Sequence, residues 1–214
     1  MGTDYLGRDV LSRFFLGGRT MPAVALASTA VAFLVGGTAG LIFGFVRGAV
    51  DGIAVWALDV LLSIPAIVIA LLMLAGLGNG VFVVGLAITV AAVPPITRLV
   101  RTVTIEAMTN EYVESAVARG ESGLYIISRE ILPNLKSTIV ADFTIRLGFA
   151  FMLYAALSFL GLGDSPPSPD WGVMISENRD GLSYQPLPVL VPAVATSFLS
   201  VGFAFLADNL ARKR

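Results

Sequence analysis

The sequence predicts an all-α, polytopic membrane protein of about five transmembrane helices, with a charged helix-turn-helix between the third and the fourth. Three observations carry this. Of 214 residues, 56% are hydrophobic and 14% charged, where a soluble domain shows about 25% charged residues. Apolar stretches recur from residue 22 to residue 207, at or near the roughly 20 residues that a helix needs to cross the hydrocarbon. Much of the remaining charge gathers in one segment, residues 111–134, EYVESAVARGESGLYIISREILPN.

The elements follow in order, within a single domain over residues 1–214. Residues 1–21 lack an apolar core, so they read as an amphipathic lead-in on the outer side and not as a signal peptide. Residues 22–46 carry no charge and form the first span, and 53–78 carry only Asp59 and form the second. Residues 81–97 are uncharged and extend to about Thr102 as the third, so that 22–102 holds three spans. The charged loop occupies 103–134. Residues 135–163, apolar apart from Lys136, Asp142 and Arg146, form the fourth span. An outer loop over 164–186 leads to a last span over 187–210. Pro65 and the pair Pro94-Pro95 are expected to break two spans. Gly36, Gly40 and Gly44 recur every four residues and let a neighbouring helix approach closely.

Orientation follows from the Lys/Arg census. Arg47, Arg98, Arg101, Arg119, Arg129, Lys136, Arg212, Lys213 and Arg214 fall on one side, and Arg8, Arg13, Arg19 and Arg179 on the other. The richer side, with the charged loop and the C-terminus, is assigned to the cytoplasm.

Composition also excludes. A net charge of −1 gives no basic footprint for nucleic acid. Cys and His are both absent, which removes disulfides, most hydrolytic triads and nearly all zinc sites. No GxxxxGK[ST] phosphate loop is present. Gly161-Leu162-Gly163-Asp164 matches the GxGD of intramembrane aspartyl proteases. That chemistry needs a second membrane aspartate, and Asp59 lacks the expected setting.

Within the charged loop, Asn110 reads as an N-cap, with Glu111 and Glu114 in the first helical turn, where carboxylates complement the helix dipole. Gly120 can take the left-handed conformation that ends that helix, and Ser122 can cap a second helix running to Pro133. Val113, Ala116 and Val117 share one apolar face, and Leu124, Ile127 and Ile131 another. A plain solvated connector needs neither of two capped helices. A rigid projecting knob suits docking to another protein.

Glu114-Ser115-Ala116, three residues, Gly120, and then Ile131-Leu132-Pro133 resemble the EAA loop of ABC-importer permeases. GTDYLGRDVLSRFFLGGR near the start, LSFLGLG at 157–163 and PPSPDWGVMI at 166–175 resemble signatures of the dipeptide/oligopeptide subfamily, C-type subunit. The resemblance spans the whole chain, with Ser115 where the family usually has Ala; family members usually carry a further helix before the GTD segment, where this sequence begins, so that either the chain is a shortened form or its start lies upstream.

It implies a transmembrane permease subunit, not an enzyme, forming half of the path for small peptides or related solutes. Glu111, Tyr112, Glu114, Ser115, Ala116 and Gly120 would form the ATPase-coupling loop. It further implies a second permease subunit, cytoplasmic ABC ATPase subunits that bind ATP and Mg, an extracytoplasmic solute-binding protein, and a multi-pass position in the inner plasma membrane. This chain would bind no cofactor and no metal. The alternatives are a self-contained secondary transporter or channel, which would normally show inverted repeats, and an ABC permease for a non-peptide solute such as a metal chelate.

Asp142 and Arg146 stand four apart in the fourth span and share a helix face. They read either as a mutually neutralising pair or as a polar lining of the translocation path. In the outer loop, WGVMISENR suggests a short helix on the membrane surface, with Trp171 at headgroup level.

Overall fold

The computed structural model describes residues 2–46, 48–164 and 168–212; Arg47, Lys213 and Arg214 of the orientation census lie outside them. Helices are the regular elements among them, beside one isolated bridge between Thr3 and Asp9. In order they are α1 Val10–Gly17, α2 Thr20–Val46, α3 Ala49–Leu62, α4 Ala66–Leu77, α5 Val81–Ala107, α6 Glu111–Ala118, α7 Gly123–Tyr125, a π-helical turn Ile126–Ile131, α8 Leu132–Phe159, α9 Trp171–Asn178 and α10 Leu187–Arg212.

Each predicted span is helical. Among the described residues three helical segments, Val10–Val46 (α1 with α2), Val81–Ala107 and Gly123–Phe159, are long and apolar enough to cross a bilayer, and the apolar stretch of α10, Leu187–Phe203, is shorter. The predicted second span is instead two helices, Asp51–Leu62 and Ala66–Leu77, bent by 84°. Pro65 causes the break: it has no N–H to give and biases Ile64 away from helical backbone. Pro65 then serves as N-cap of α4. Pro94 and Pro95, expected to interrupt the third span, lie inside an unbroken α5, which runs on to Ala107 and not merely to Thr102.

The glycine stripe does what its spacing predicts. A Cβ on Gly36 would stand 2.9 Å from the Val93 carbonyl oxygen, one on Gly40 2.7 Å from that of Thr97, and one on Gly44 2.9 Å from that of Arg101. Successive glycines meet successive turns of α5, so α2 and α5 run parallel. Lipid tails are as apolar as the helices, so close backbone packing has to supply the association. On α5, Arg101 grips Asp51 of α3 with two hydrogen bonds, 2.5 Å from Nε and 2.6 Å from Nη2. α8 packs across this pair, with Phe33 and Phe143 in ring contact at 5.3 Å, and Phe151 stacks on Phe203 of α10 at 4.8 Å. Met21, Leu74, Ile88, Phe151, Tyr154 and Trp171 belong to one buried core.

Candidate functional site: an exposed knob, a groove and a buried clasp

The charged loop folds as a compact knob on the end of the bundle. α6 stops in a Schellman motif: Gly120 takes φ +78°, its N–H donates to Val117 O at 2.9 Å, and Glu121 N–H donates to Ala116 O at 3.2 Å. Ser122 Oγ accepts from Tyr125 N–H at 3.3 Å, as its sequence position suggested. Asn110 precedes α6, but its side chain makes no cap; it donates backwards to the Ala107 carbonyl at 3.2 Å. The second helix does not end at Pro133. It passes through the π turn straight into α8, with Leu132 N–H reaching Ile127 O. The wider π turn absorbs the N–H that proline lacks.

Val113, Ala116, Ile126 and Ile131 are buried in a small core against the end of α5 and the start of α8. Val117 and Leu124, assigned to buried faces from periodicity, are instead 56% and 79% exposed, and Tyr125 is 41% exposed. Glu111, Glu114 and Ser115 are also exposed, Tyr112 is half-buried, and Ala116 is the candidate residue that anchors the knob. Arg119 links the two halves, 3.6 Å from Glu121 and 3.4 Å from Glu130.

Asp142 and Arg146 do pair, Nε to Oδ2 at 3.2 Å, on the inward face of α8. Asp142 is buried, and Arg146 is half-buried on a groove of about 400 Å³ between α4, α5 and α8. Ten residues of α8 separate Leu132 from Asp142, a rise of about 15 Å. Knob and ion pair are therefore two places and not one site.

At the opposite end of α8 lies a polar clasp that sequence reasoning missed. Asp170 caps α9, accepting from Gly172 N–H at 2.9 Å and Val173 N–H at 3.2 Å. It also accepts from Tyr154 Oη at 2.7 Å and from Ser158 Oγ, so four donors and a helix N-terminus hold a fully buried carboxylate. Trp171, expected at the headgroup level, is buried: its indole stacks on Phe14 at 5.0 Å and its Nε1–H donates to Phe14 O at 2.8 Å. α9 is packed into the bundle and does not lie on its surface.

Beside it, Arg8 bridges Asp4 and Glu177, each at 2.7 Å, and Arg13 reaches Glu177 at 3.1 Å and the Ser168 carbonyl at 3.0 Å. Burial alone would raise the Asp4 carboxyl, but hydrogen bonds from Arg8 outweigh it and hold Asp4 below its ordinary 3.8. Burial would likewise lower Arg8, and its bonds to Glu177 and Asp4 raise it instead. The GTDYLGRDVLSRFF, LSFLGLG and PDWG segments are thus partners in one assembly. Their co-occurrence in the sequence was the available signal, although it could not show that they touch.

No cluster of potential metal ligands exists among the described residues. Residues 36–214 match the family model of the binding-protein-dependent transport system inner membrane component. The chain belongs to this family. It is 37% identical over 210 residues, 98% of this chain and 70% of the other, to the glutathione transport system permease protein GsiD of Pectobacterium atrosepticum. The GsiD protein of Escherichia coli O1:K1 is 36% identical over 98% of this chain and 69% of its own. In fold, the chain is similar to an inward-facing conformation of the MetNI methionine ABC transporter, with a TM-score of 0.76, 20% identity and 95% of each chain covered.

The protein is therefore a transmembrane permease subunit of an ABC importer, a transport protein of the membrane and not an enzyme. That decides against the secondary transporter and channel.

Proposed function

We propose that this chain, as one permease domain, forms half of the translocation path of an importer for small peptides of the glutathione class. It works beside a second permease subunit, takes its solute from an extracytoplasmic binding protein, and is driven by ABC ATPase subunits that bind ATP and Mg. The peptide class rests on the relatives' names. The knob end and the C-terminus face the cytoplasm of a cell bounded by this inner membrane, as the excess of Arg and Lys favours.

The observation that carries the coupling role is the exposed tip of the knob. Val117, Leu124 and Tyr125 present apolar surface beside the carboxylates Glu111 and Glu114, while Val113, Ala116, Ile126 and Ile131 fix the tip to the bundle. An apolar centre with a charged rim, held rigidly, is the anatomy of a docking surface. ATP hydrolysis on the partner would move the knob, and the continuous α7-to-α8 helix would carry that motion to the groove lined by Arg146, which pairs with Asp142.

The test is purification of the permease pair with its ATPase subunits and ATP-dependent uptake of glutathione in proteoliposomes. Leu124→Asp should abolish ATPase co-purification and uptake while the permease still inserts. Unchanged co-purification would remove the knob from the interface.

A further inference from the structure

We propose that Arg146 is where this permease reads the carboxylate of its solute, in the groove between α4, α5 and α8; the proposal rests on the peptide-importer reading above. Among the described residues, Arg146 is the one charged residue lining that groove. The walls are otherwise apolar: Ala66 and Ile67 of α4, Ala91 and Pro95 of α5, and Phe149 and Met152 of α8. Its volume of about 400 Å³ lies within the range of small-molecule sites, roughly 300–1,000 Å³, which are mostly apolar with few placed polar groups.

The geometry of the ion pair supports a reader and not simple neutralisation. Asp142 takes a single contact, from Nε at 3.2 Å. Nη1 and Nη2 make no hydrogen bond to any described residue, and neither is among the buried unpartnered atoms, so both stay open. Two parallel N–H donors at the end of a guanidinium match the two oxygens of a carboxylate. Facing lipid, such a group would be costly, at least about 2.5–3.5 kcal/mol at the bilayer centre, so the groove faces protein or a wet path. α4 begins at the same groove, and the Ala66 and Ile67 N–H groups at its start add positive potential without carrying the proposal.

Asp142 has a second consequence. An unopposed arginine in a low-dielectric groove would hold an anion tightly, and passage demands that the solute also leave. With Asp142 on Nε, the site is near neutral in sum yet keeps its bidentate end. Specificity is retained, and release stays fast.

The native chain has no Cys, and Met152 on the groove is 60% exposed, so Met152→Cys places one reporter thiol in this subunit. The complete permease–ATPase assembly in nanodiscs, without the binding protein, is treated with a maleimide, and labelling is read on this chain's band. The probes are trialanine and its C-terminal amide. Trialanine should slow labelling several-fold and the amide should not. Arg146→Gln should abolish the difference, and Arg146→Lys, which keeps the charge but loses the fork, should shrink it.

Equal protection by both peptides, protection that survives Arg146→Gln, or no protection in the assembled protein each overturns the proposal. Should Arg146→Gln fail to insert, undiminished selectivity in Arg146→Lys overturns it instead. Absence of ATPase subunits from the native preparation counts against the coupling reading alone, and the labelling contrast is then read on the permease pair.

Discussion

The hydroxyl of Tyr154 donates to the buried carboxylate of Asp170 across 2.7 Å, tying the C-terminal end of α8 to the first turn of α9. Removing that donor leaves a fully buried carboxylate short of one partner. A hydrogen bond to a charged group contributes about 1.5–3 kcal/mol, so Tyr154→Phe should lower the thermal midpoint of the purified permease clearly. Asp170→Asn, which can still accept at the helix N-terminus, should cost less than Asp170→Ala. An unaltered midpoint in Tyr154→Phe would show that the clasp is not under this bond's control.

Gly37 and Gly40 are neighbours on α2 that predict opposite results. A Cβ at Gly40 meets the Thr97 carbonyl oxygen at 2.7 Å and the Arg101 nitrogen at 2.9 Å, backbone atoms that cannot swing aside, whereas a Cβ at Gly37 meets nothing within 4 Å. Gly40→Ala should force α2 from α5 at about 1–3 kcal/mol of overpacking. Gly37→Ala should stay within about 0.5 kcal/mol. Detergent-solubilised stability of the two variants decides, and equal stability sinks the close-packing account.

Topology is testable on the same Cys-free background. Ser183→Cys and Ser122→Cys occupy exposed positions in the outer loop and the knob. An impermeant reagent applied to intact cells should label the first, and should label the second only after lysis. The reverse pattern would invert the orientation taken from the Arg and Lys census.

The spans were legible because continuous apolar length is a direct requirement of the bilayer. The glycine stripe was legible because close approach needs the missing Cβ. What periodicity misjudged was the knob: Val117 and Leu124 look like core residues, and they are exposed at its tip, while Val113, Ala116, Ile126 and Ile131 supply its core. Pro65 and the Pro94-Pro95 pair were ambiguous because local sequence does not show what a helix packs against. Pro65 and Pro94 look alike locally, but α5 stays helical where it packs along α2 while the α3–α4 segment bends. The clasp was illegible because its bonds join residues as far apart as Arg8 and Glu177, and sequence spacing says nothing about such pairs.

The N-terminal clamp carries a pH expectation. The Asp4 carboxyl is held below 3.8 by Arg8, so its contribution is fully present above 3.8 and is lost as pH falls through the lowered folded value. Arg8, raised further by its bonds to Glu177 and Asp4, stays charged throughout this range. In a Trp56→Phe background, emission from Trp171, stacked on Phe14, should hold constant from pH 8 to pH 5 and shift only in stronger acid. A transition between pH 8 and pH 5 would mean that another group governs the clamp.

The knob turn makes the sharpest demand on one residue. Gly120 sits at φ +78° with open space around the position a Cβ would take, so conformation and not crowding restricts it. Asn visits the left-handed region at little cost, whereas proline fixes φ near −65° and cannot. Proline also removes the N–H that donates to Val117 O at 2.9 Å. Gly120→Asn should therefore keep most uptake, and Gly120→Pro should insert normally yet lose ATP-driven uptake and co-purification of the ATPase. Membrane level of the variant, measured beside uptake, separates uncoupling from misfolding. Because Gly120 lies about a full span from the Asp170 clasp, the thermal response of Tyr154→Phe should add to that of Gly120→Pro without interaction. Full uptake in Gly120→Pro would mean that the motor does not act through this turn.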